Sequence, residues 1–347
     1  MKYLRLLILL TAFNWTYLTY GQTSLRDWKY RSELIIDHTS SAEPVAEYQA
    51  HFPFDARSLI KAGKLQADGK DIRLIDSNGQ TLLCHWLEGD LDKGPVQVWV
   101  KIPYLEAGER KTVYLYYGNP GAVSVADGSC TFQAFDDFAD NTVDTEKWEQ
   151  AGGGSLRIDR GKAHFQASGS DIVLRSFTAV QMPAIIEMWV TRSSGKFISL
   201  ALTNTSPVFW DGYALAIDHA RKRAELALTD PEVTPCGGFS FLPSFKASPM
   251  ADRINGLWSL SWLTSNTLMG NWPGGALLEQ NSFREQKKRR IALGVLACSF
   301  QGSFAGELEV DWIRVRKFLA QEPPTVLGPE TTNTSAEAII VPGSYTG

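Results

Sequence analysis

Helical periodicity is nearly absent from this chain of 347 residues. Apolar residues rarely recur at three- and four-residue spacing, which excludes a helical bundle or a sheet wrapped in helices. The one segment that reads as a helix is Asp55 to Ala62. A basic excess is missing too. The 34 Lys and Arg stand against 38 Asp and Glu, a formal charge of −4, which gives no electrostatic basis for binding nucleic acid or an anionic membrane. Histidine is sparse. His38, His51, His85, His164 and His219 sit apart, none at metal-ligand spacing, and no Gly-x-Ser-x-Gly nucleophile motif accompanies them. Gly152-Gly153-Gly154 lacks the Lys-Ser/Thr and the following helix of a phosphate loop. Lys287-Lys288-Arg289-Arg290 is the one basic run and reads as a solvated loop. Only four cysteines occur, none at zinc-site spacing.

Alternation of apolar and polar residues is abundant, in short stretches bounded by Gly, Asn, Asp and Pro, which is the pattern of β-strands. Ile72 to Asp76 and Thr81 to Leu87 flank Asn78-Gly79 and read as a hairpin. Val96 to Ile102 and Lys111 to Tyr117 read as a second pair joined through Gly108. Gly118 to Gly128 is small and polar and marks a domain boundary. About ten further strand-like segments follow, from Phe132 to Arg316, as in a β-sandwich or jelly roll. Pro323-Pro324 ends the last of them, and a polar tail is expected from Thr331.

Lys2 and Arg5, the apolar run Leu6 to Phe13 and the small residues at Thr19-Tyr20-Gly21 form a secretory signal, with cleavage expected before Gln22. The run is too short to span a bilayer, no cysteine follows the site, and no later segment reaches transmembrane length. Export to the periplasm, cell surface or medium is expected, with no membrane span after cleavage. In an oxidising compartment the four cysteines allow three pairings. Pairing within each half, Cys84 with Cys130 and Cys236 with Cys298, is the expectation; the alternative is that Cys84 and Cys298 are small buried apolar residues.

The N-terminal half resembles a secreted bacterial domain of unknown function. The resemblance rests on Trp28-x-Tyr30-Arg31, Asp68-Gly69-x-Asp71-Ile72-Arg73, Val98-Trp99-Val100-Lys101-x-Pro103 and Tyr114-Leu115-Tyr116-Tyr117-Gly118-Asn119. The second half is similar to concanavalin A-like (laminin G-like) jelly rolls, on Phe135-Asp136-Asp137-Phe138, Gly212-Tyr213 and Val310-Asp311-Trp312-Ile313-Arg314-Val315. The implied fold is all-β: a β-sandwich over residues 22–125, then a concanavalin A-like jelly-roll β-sandwich over 126–330, between a signal peptide at 1–21 and a polar tail at 331–347. Some relatives carry the same pair of domains before an ExbB/TolQ-type biopolymer-transport channel. This chain lacks those transmembrane helices, so the resemblance implies extracytoplasmic recognition and not a channel.

Eleven tryptophans favour binding, because indole rings stack on sugar faces and anchor interfaces. Trp210, Asp211 and Tyr213, with Asn271 and Trp272, put aromatics beside turn residues, as sugar-binding loops do. If Val96 to Ile102 pairs with Lys111 to Tyr117, alternation gathers Trp99, Lys101, Tyr114 and Tyr116 into one aromatic-basic patch. The competing reading buries that patch under the second domain or under the Trp28 strand. Glu307, Glu309 and Asp311 share a strand face at two-residue steps. Jelly-roll glucanases carry an acidic strand motif of different order, E-x-D-x-(x)-E, so these residues read as structural or metal-binding. Asp136, Asp137 and Asp311 are expected to meet where the first and last strands pair, and a structural calcium is the one ion this set suggests; no cofactor is otherwise expected. The function expected is non-catalytic binding of a glycan or cell-surface polymer. The alternatives are an interaction module for an envelope protein partner and a glycosidase-like enzyme.

Overall fold

The computed structural model describes residues 23–203, 212–229, 247–250, 254–264, 267–280, 288–295, 298–299, 302–303, 305–334 and 338–339. The expected signal peptide, Trp210, Asp211 and Cys236 lie outside the described residues. The protein is all-β, and its two halves are antiparallel sandwiches.

The first unit contains β1 (Tyr30–Asp37), β2 (Val45–Phe54), α1 (Ala56–Lys61), β3 (Arg73–Asp76), β4 (His85–Glu88), β5 (Val96–Leu105) and β6 (Arg110–Tyr117). The expected helix forms, and the Asp55 carboxylate caps it by accepting the Ser58 N–H at 3.2 Å. The expected pairing of β5 with β6 does not occur. β6 lies between β1 and β3, while β5 lies between β2 and β4 in the facing sheet. Val98, Val100 and Ile102 meet Val113, Leu115 and Tyr117 across the core, so the outward side chains of β5 and β6 point to opposite sides of the sandwich. The Asn78-Gly79 hairpin begins as expected, with the Asp76 N–H on the Thr81 carbonyl and an Ile75–Leu82 bridge, but its second arm then crosses to β5 as β4.

Three of the four resemblance motifs interlock at one corner of this unit. The Asp71 carboxylate accepts the backbone N–H groups of Gly118 at 2.8 Å and Gln66 at 3.0 Å, and its carbonyl accepts the Trp28 indole N–H at 2.6 Å. Arg73 lies 4.9 Å from the Trp28 ring and donates to the Val123 carbonyl. Gly118 has φ +90°, and a Cβ there would lie 2.6 Å from the Tyr30 ring, so only glycine fits. These residues build the fold.

The second unit opens with α2 (Gly128–Thr131) and β7 (Ala134–Asp136). Its front sheet also holds β8 (Ser155–Ile158), β9 (Ala163–Ser168), β10 (Ala184–Gly195), β11 (Gly256–Thr264), β12 (Thr267–Trp272), β13 (Gly275–Gln280) and β14 (Ala305–Lys317). The order is β8-β9-β14-β10-β11-β12-β13, with β7 on β14. The back sheet runs Ala247–Pro249, Arg223–Thr229, Gly212–Asp218, Ile198–Thr203, Lys288–Val295, Ile172–Ser176 and Trp148–Ala151 in spatial order. Between the sheets, Ile186, Met188, Val190, Leu200, Leu215, Trp258, Leu293, Val310 and Ile313 form one buried core. The basic run expected in a loop enters the strand Lys288–Val295, where buried Arg289 lies 5.1 Å and 5.2 Å from the Tyr213 and Trp262 rings.

After β14 the chain returns to the first unit. β15 (Thr325–Leu327) and β16 (Thr331–Thr332) both pair with β1, so residues beyond the jelly roll complete the N-terminal sheet, and the expected boundary at 330 falls between these two strands. The units are also joined by the Cys84–Cys130 disulfide, which realises the pairing expected in the first half. The Lys317 N–H donates to the Gln49 side-chain oxygen at 2.9 Å, and the Thr325 hydroxyl donates to the His51 carbonyl at 2.7 Å. The outward faces of β4 and β5 thus pack on those of β10 and β14. Trp86, Trp99, Phe132 and Phe135 fill the seam.

Candidate functional site

At one edge of this seam a cleft of about 750 Å³ opens. Its first wall is the end of β4 and the loop after it, with Trp86, Glu88, Asp90, Leu91 and Lys93. Its second wall is the front sheet, with Trp189 from β10, Asp311 and Trp312 from β14, and Asp137 just after β7. An irregularity in register makes this wall. Val310 pairs with Val190 and Trp312 with Trp189, so Asp311 is an extra residue, and strict alternation fails there. Leu308 and Val310 point into the core before it and Ile313 and Val315 after it, so Trp312 joins Glu307 and Glu309 on the outer face and Asp311 opens into the same cleft.

Trp312 is the centre of the aromatic wall. Its ring lies 6.2 Å from Trp189 in a stacked arrangement and 5.8 Å from Trp86 edge-on. Trp312 is 5% exposed and Trp189 is 38% exposed, so one ring is a fixed floor and the other is offered to solvent. Behind this wall the Arg314 guanidinium is sandwiched, 4.3 Å from the Trp312 ring and 4.0 Å from Trp99. Arg314 also donates to Glu88 at 2.7 Å and to Glu187 at 2.6 Å, and the Trp99 indole N–H donates to the same Glu88 oxygen at 2.7 Å. Arg316 bonds Glu187 and Glu322 in turn. This chain of contacts holds both walls in register across the seam.

The charges are graded from seam to cleft. Burial pushes the Glu187 carboxyl up, but the Arg314 and Arg316 charges outweigh it and hold it below its usual range. The bond to His51 and then the Arg316 charge, working against burial, draw Glu322 down to about 2. Asp311 goes the other way. Burial raises its carboxyl, and repulsion from Asp137 and Glu309 adds to this against the attraction of Lys162.

The site residues expected from sequence are scattered. Trp210 and Asp211 lie outside the described residues. Tyr213 and Trp272 are 3% and 4% exposed and belong to the jelly-roll core. Trp272 follows Leu268 and Gly270 on the inward side of β12, so its strand phase buries it although a turn is next to it. Asn271 points outward but donates to the Ser259 hydroxyl at 3.0 Å. The patch of Trp99, Lys101, Tyr114 and Tyr116 does not form, because its two strands lie in different sheets. Trp99 is buried at the seam, Lys101 pairs with Glu47 at 3.0 Å, Arg31 lies 3.9 Å over Tyr114, and Tyr116 is covered by Leu25, Trp28 and Ile75.

The calcium set separates as well. β7 does pair with β14, with Asp136 opposite Ile313. Alternation then sends consecutive residues to opposite sides. The Asp136 carboxylate turns inward to accept the Trp148 indole N–H at 2.6 Å and the Phe138 N–H at 2.8 Å, while Asp137 and Asp311 face the cleft. Among the described residues no group of three or more His, Cys, Asp or Glu is placed to hold a metal ion. Sequence reasoning missed Trp86, Trp189 and the role of Trp312. The pattern that marks them is Trp or charge at alternate positions of an apolar strand: Glu187 and Trp189, then Trp312, Arg314 and Arg316.

The profile of the domain of unknown function DUF2341 matches residues 68–151. That segment includes Trp86, Glu88 and Asp137 and stops short of Trp189 and Asp311. No curated protein matches the sequence. Similar solved structures include an endo-β-1,3-glucanase from Pyrococcus furiosus, at 12% identity over 55% of this chain and 95% of that one, with a TM-score of 0.43. β-Agarase A from Zobellia galactanivorans is 15% identical over 55% and 93% of the two chains, with a TM-score of 0.36. A structure from the endo-acting O-glycanases of the human gut microbiota is 14% identical over 53% and 98%, with a TM-score of 0.41. Among the described residues no helix is long and apolar enough to cross a membrane.

Proposed function

We propose that this is an exported protein that binds a glycan, without cleaving it, in the cleft between its two units. The observation that carries the reading is the wall of Trp86, Trp189 and Trp312 with Asp137 and Asp311 at its edge. Indole faces match the apolar faces of pyranose rings, and adjacent carboxylates accept sugar hydroxyls. A concave site at a domain junction, part apolar and part polar, is the usual form of a small-ligand site. The Cys84–Cys130 disulfide and the N-terminal signal sequence support export, because such bonds persist in oxidising compartments. A glycan-array screen of the mature chain tests the reading. Binding to one glycan class supports it, and an empty array removes it.

One observation favours a second reading, glycoside hydrolysis. Asp137 and Asp311 open on the same cleft, and Asp311 holds its proton above the usual carboxylate range. Hydrolysis requires one protonated and one ionised carboxyl flanking the scissile bond. Release of new reducing ends from a bound glycan, lost in Asp311→Asn, would replace the non-catalytic reading with this one.

A further inference from the structure

Beyond Asp311, the outer face of β14 carries two more depressions. These shallow grooves, of about 170 and 230 Å³, share Gln166 and Glu307 with each other, and the nearer one begins at Glu309, two residues from Asp311. Together the three depressions follow β14 from Trp312 back to Ala305, roughly 20 Å at the rise of a β-strand. Their linings differ in a consistent way. The far part carries charges that are already paired with each other. Arg192 bonds Glu307 at 2.8 Å, Arg157 bonds Asp159 at 2.5 Å, and Glu309 is met by His164 at 3.1 Å, by Lys162 from beside the groove at 2.9 Å and by the Thr191 hydroxyl at 2.5 Å. The surface there is rich in donors and acceptors and has little net charge. The near part has the tryptophans and the carboxylates Asp137 and Asp311.

From this we infer that β14 carries a track for a linear, uncharged polysaccharide several rings long, gripped by the tryptophan cleft at one end and hydrogen-bonded along Glu309, Arg192, Glu307 and Gln166. The inference rests on the glycan-binding reading and adds chain length and charge class to it. A short sugar would need only the cleft. A polyanion would meet Asp137 and Asp311 at one end and no free cation in the pairs just described. A neutral chain can exchange its water for these paired groups without breaking an ion pair.

Calorimetric titration with cello-, laminari-, manno- and agaro-oligosaccharides of two to eight rings, and with polygalacturonate, tests the inference. In the series that binds, affinity should rise by about tenfold or more between the disaccharide and the longer chains. The double variant R192Q/E307Q should lose most of that gain, keep the disaccharide affinity and keep the melting temperature, since both side chains lie on the solvent face. Polygalacturonate should not bind. Equal affinity for short and long chains, an unaltered gain in the double variant, or tighter binding of polygalacturonate would each overturn the track while leaving the cleft. Binding of no oligosaccharide by the wild type would remove the track and the glycan-binding reading together.

Discussion

Two groups of tryptophans in this protein have exchanged the places that their neighbours in sequence suggest. Trp272 borders a Pro-Gly-Gly turn and yet lies in the jelly-roll core, 4% exposed. Trp189 lies in the middle of an apolar strand and yet is 38% exposed at the cleft. Turn chemistry tells where a strand ends. It does not tell which way the last side chain points, which depends on strand phase and on what covers each face. Trp272 shares its phase with Leu268, under the back sheet. Trp189 shares its phase with Glu187, on a face that the first unit covers only as far as the seam.

Truncation should separate the two groups most strongly. Trp272→Ala is expected to cost about 3–5 kcal/mol of stability, as for a large aromatic removed from a packed core. Chemical denaturation measures this; a variant that stays as stable as the wild type but loses ligand would reverse the assignment. The seam comes next. Arg314→Met leaves Glu88 without its buried guanidinium and Glu187 with Arg316 alone, and about 3 kcal/mol should be lost. An unchanged denaturation midpoint would show that the Arg314 network adds nothing to the stability of the seam.

Acid should act on stability through the buried His85. Burial holds the fully enclosed His85 imidazole down to about 4 from 6.5; its bond to the Leu83 carbonyl opposes this and the Arg73 charge adds to it. A base with a lowered folded pKa is protonated first in the unfolded chain. Its contribution is therefore fully present above pH 6.5 and is lost as pH falls toward 4, by at most about 3 kcal/mol. Denaturation curves at pH 7 and 4.5 check the sign. A wild type that gains stability in acid, or a His85→Phe variant with the same acid slope, would contradict it.

Alternation along the sequence identifies most strands of both sandwiches and the short helix, because period and breakers are local properties. Pairing is not legible in the same way. Val98 and Val113 each mark an inward face, but nothing in their segments says that the faces belong to opposed sheets. The extra residue at Asp311 is hidden for the same reason, since Glu307, Glu309 and Asp311 read as a regular alternation until a partner strand shows the slip. The return of Thr325–Leu327 to β1 is hidden by its own weakness: three residues after Pro323-Pro324, with Val326 63% exposed, carry little pattern. The cleft needs the opposed sheets and the extra residue at Asp311, so it could not be assembled from residue types alone.

The most direct test uses Trp189, the exposed ring of the cleft. Titration of the wild type and Trp189→Ala with a glycan identified on the array should show affinity reduced by about 1–3 kcal/mol, with a melting temperature that barely moves. Undiminished affinity in a folded Trp189→Ala protein would contradict the placement of the binding site in the cleft between the two units.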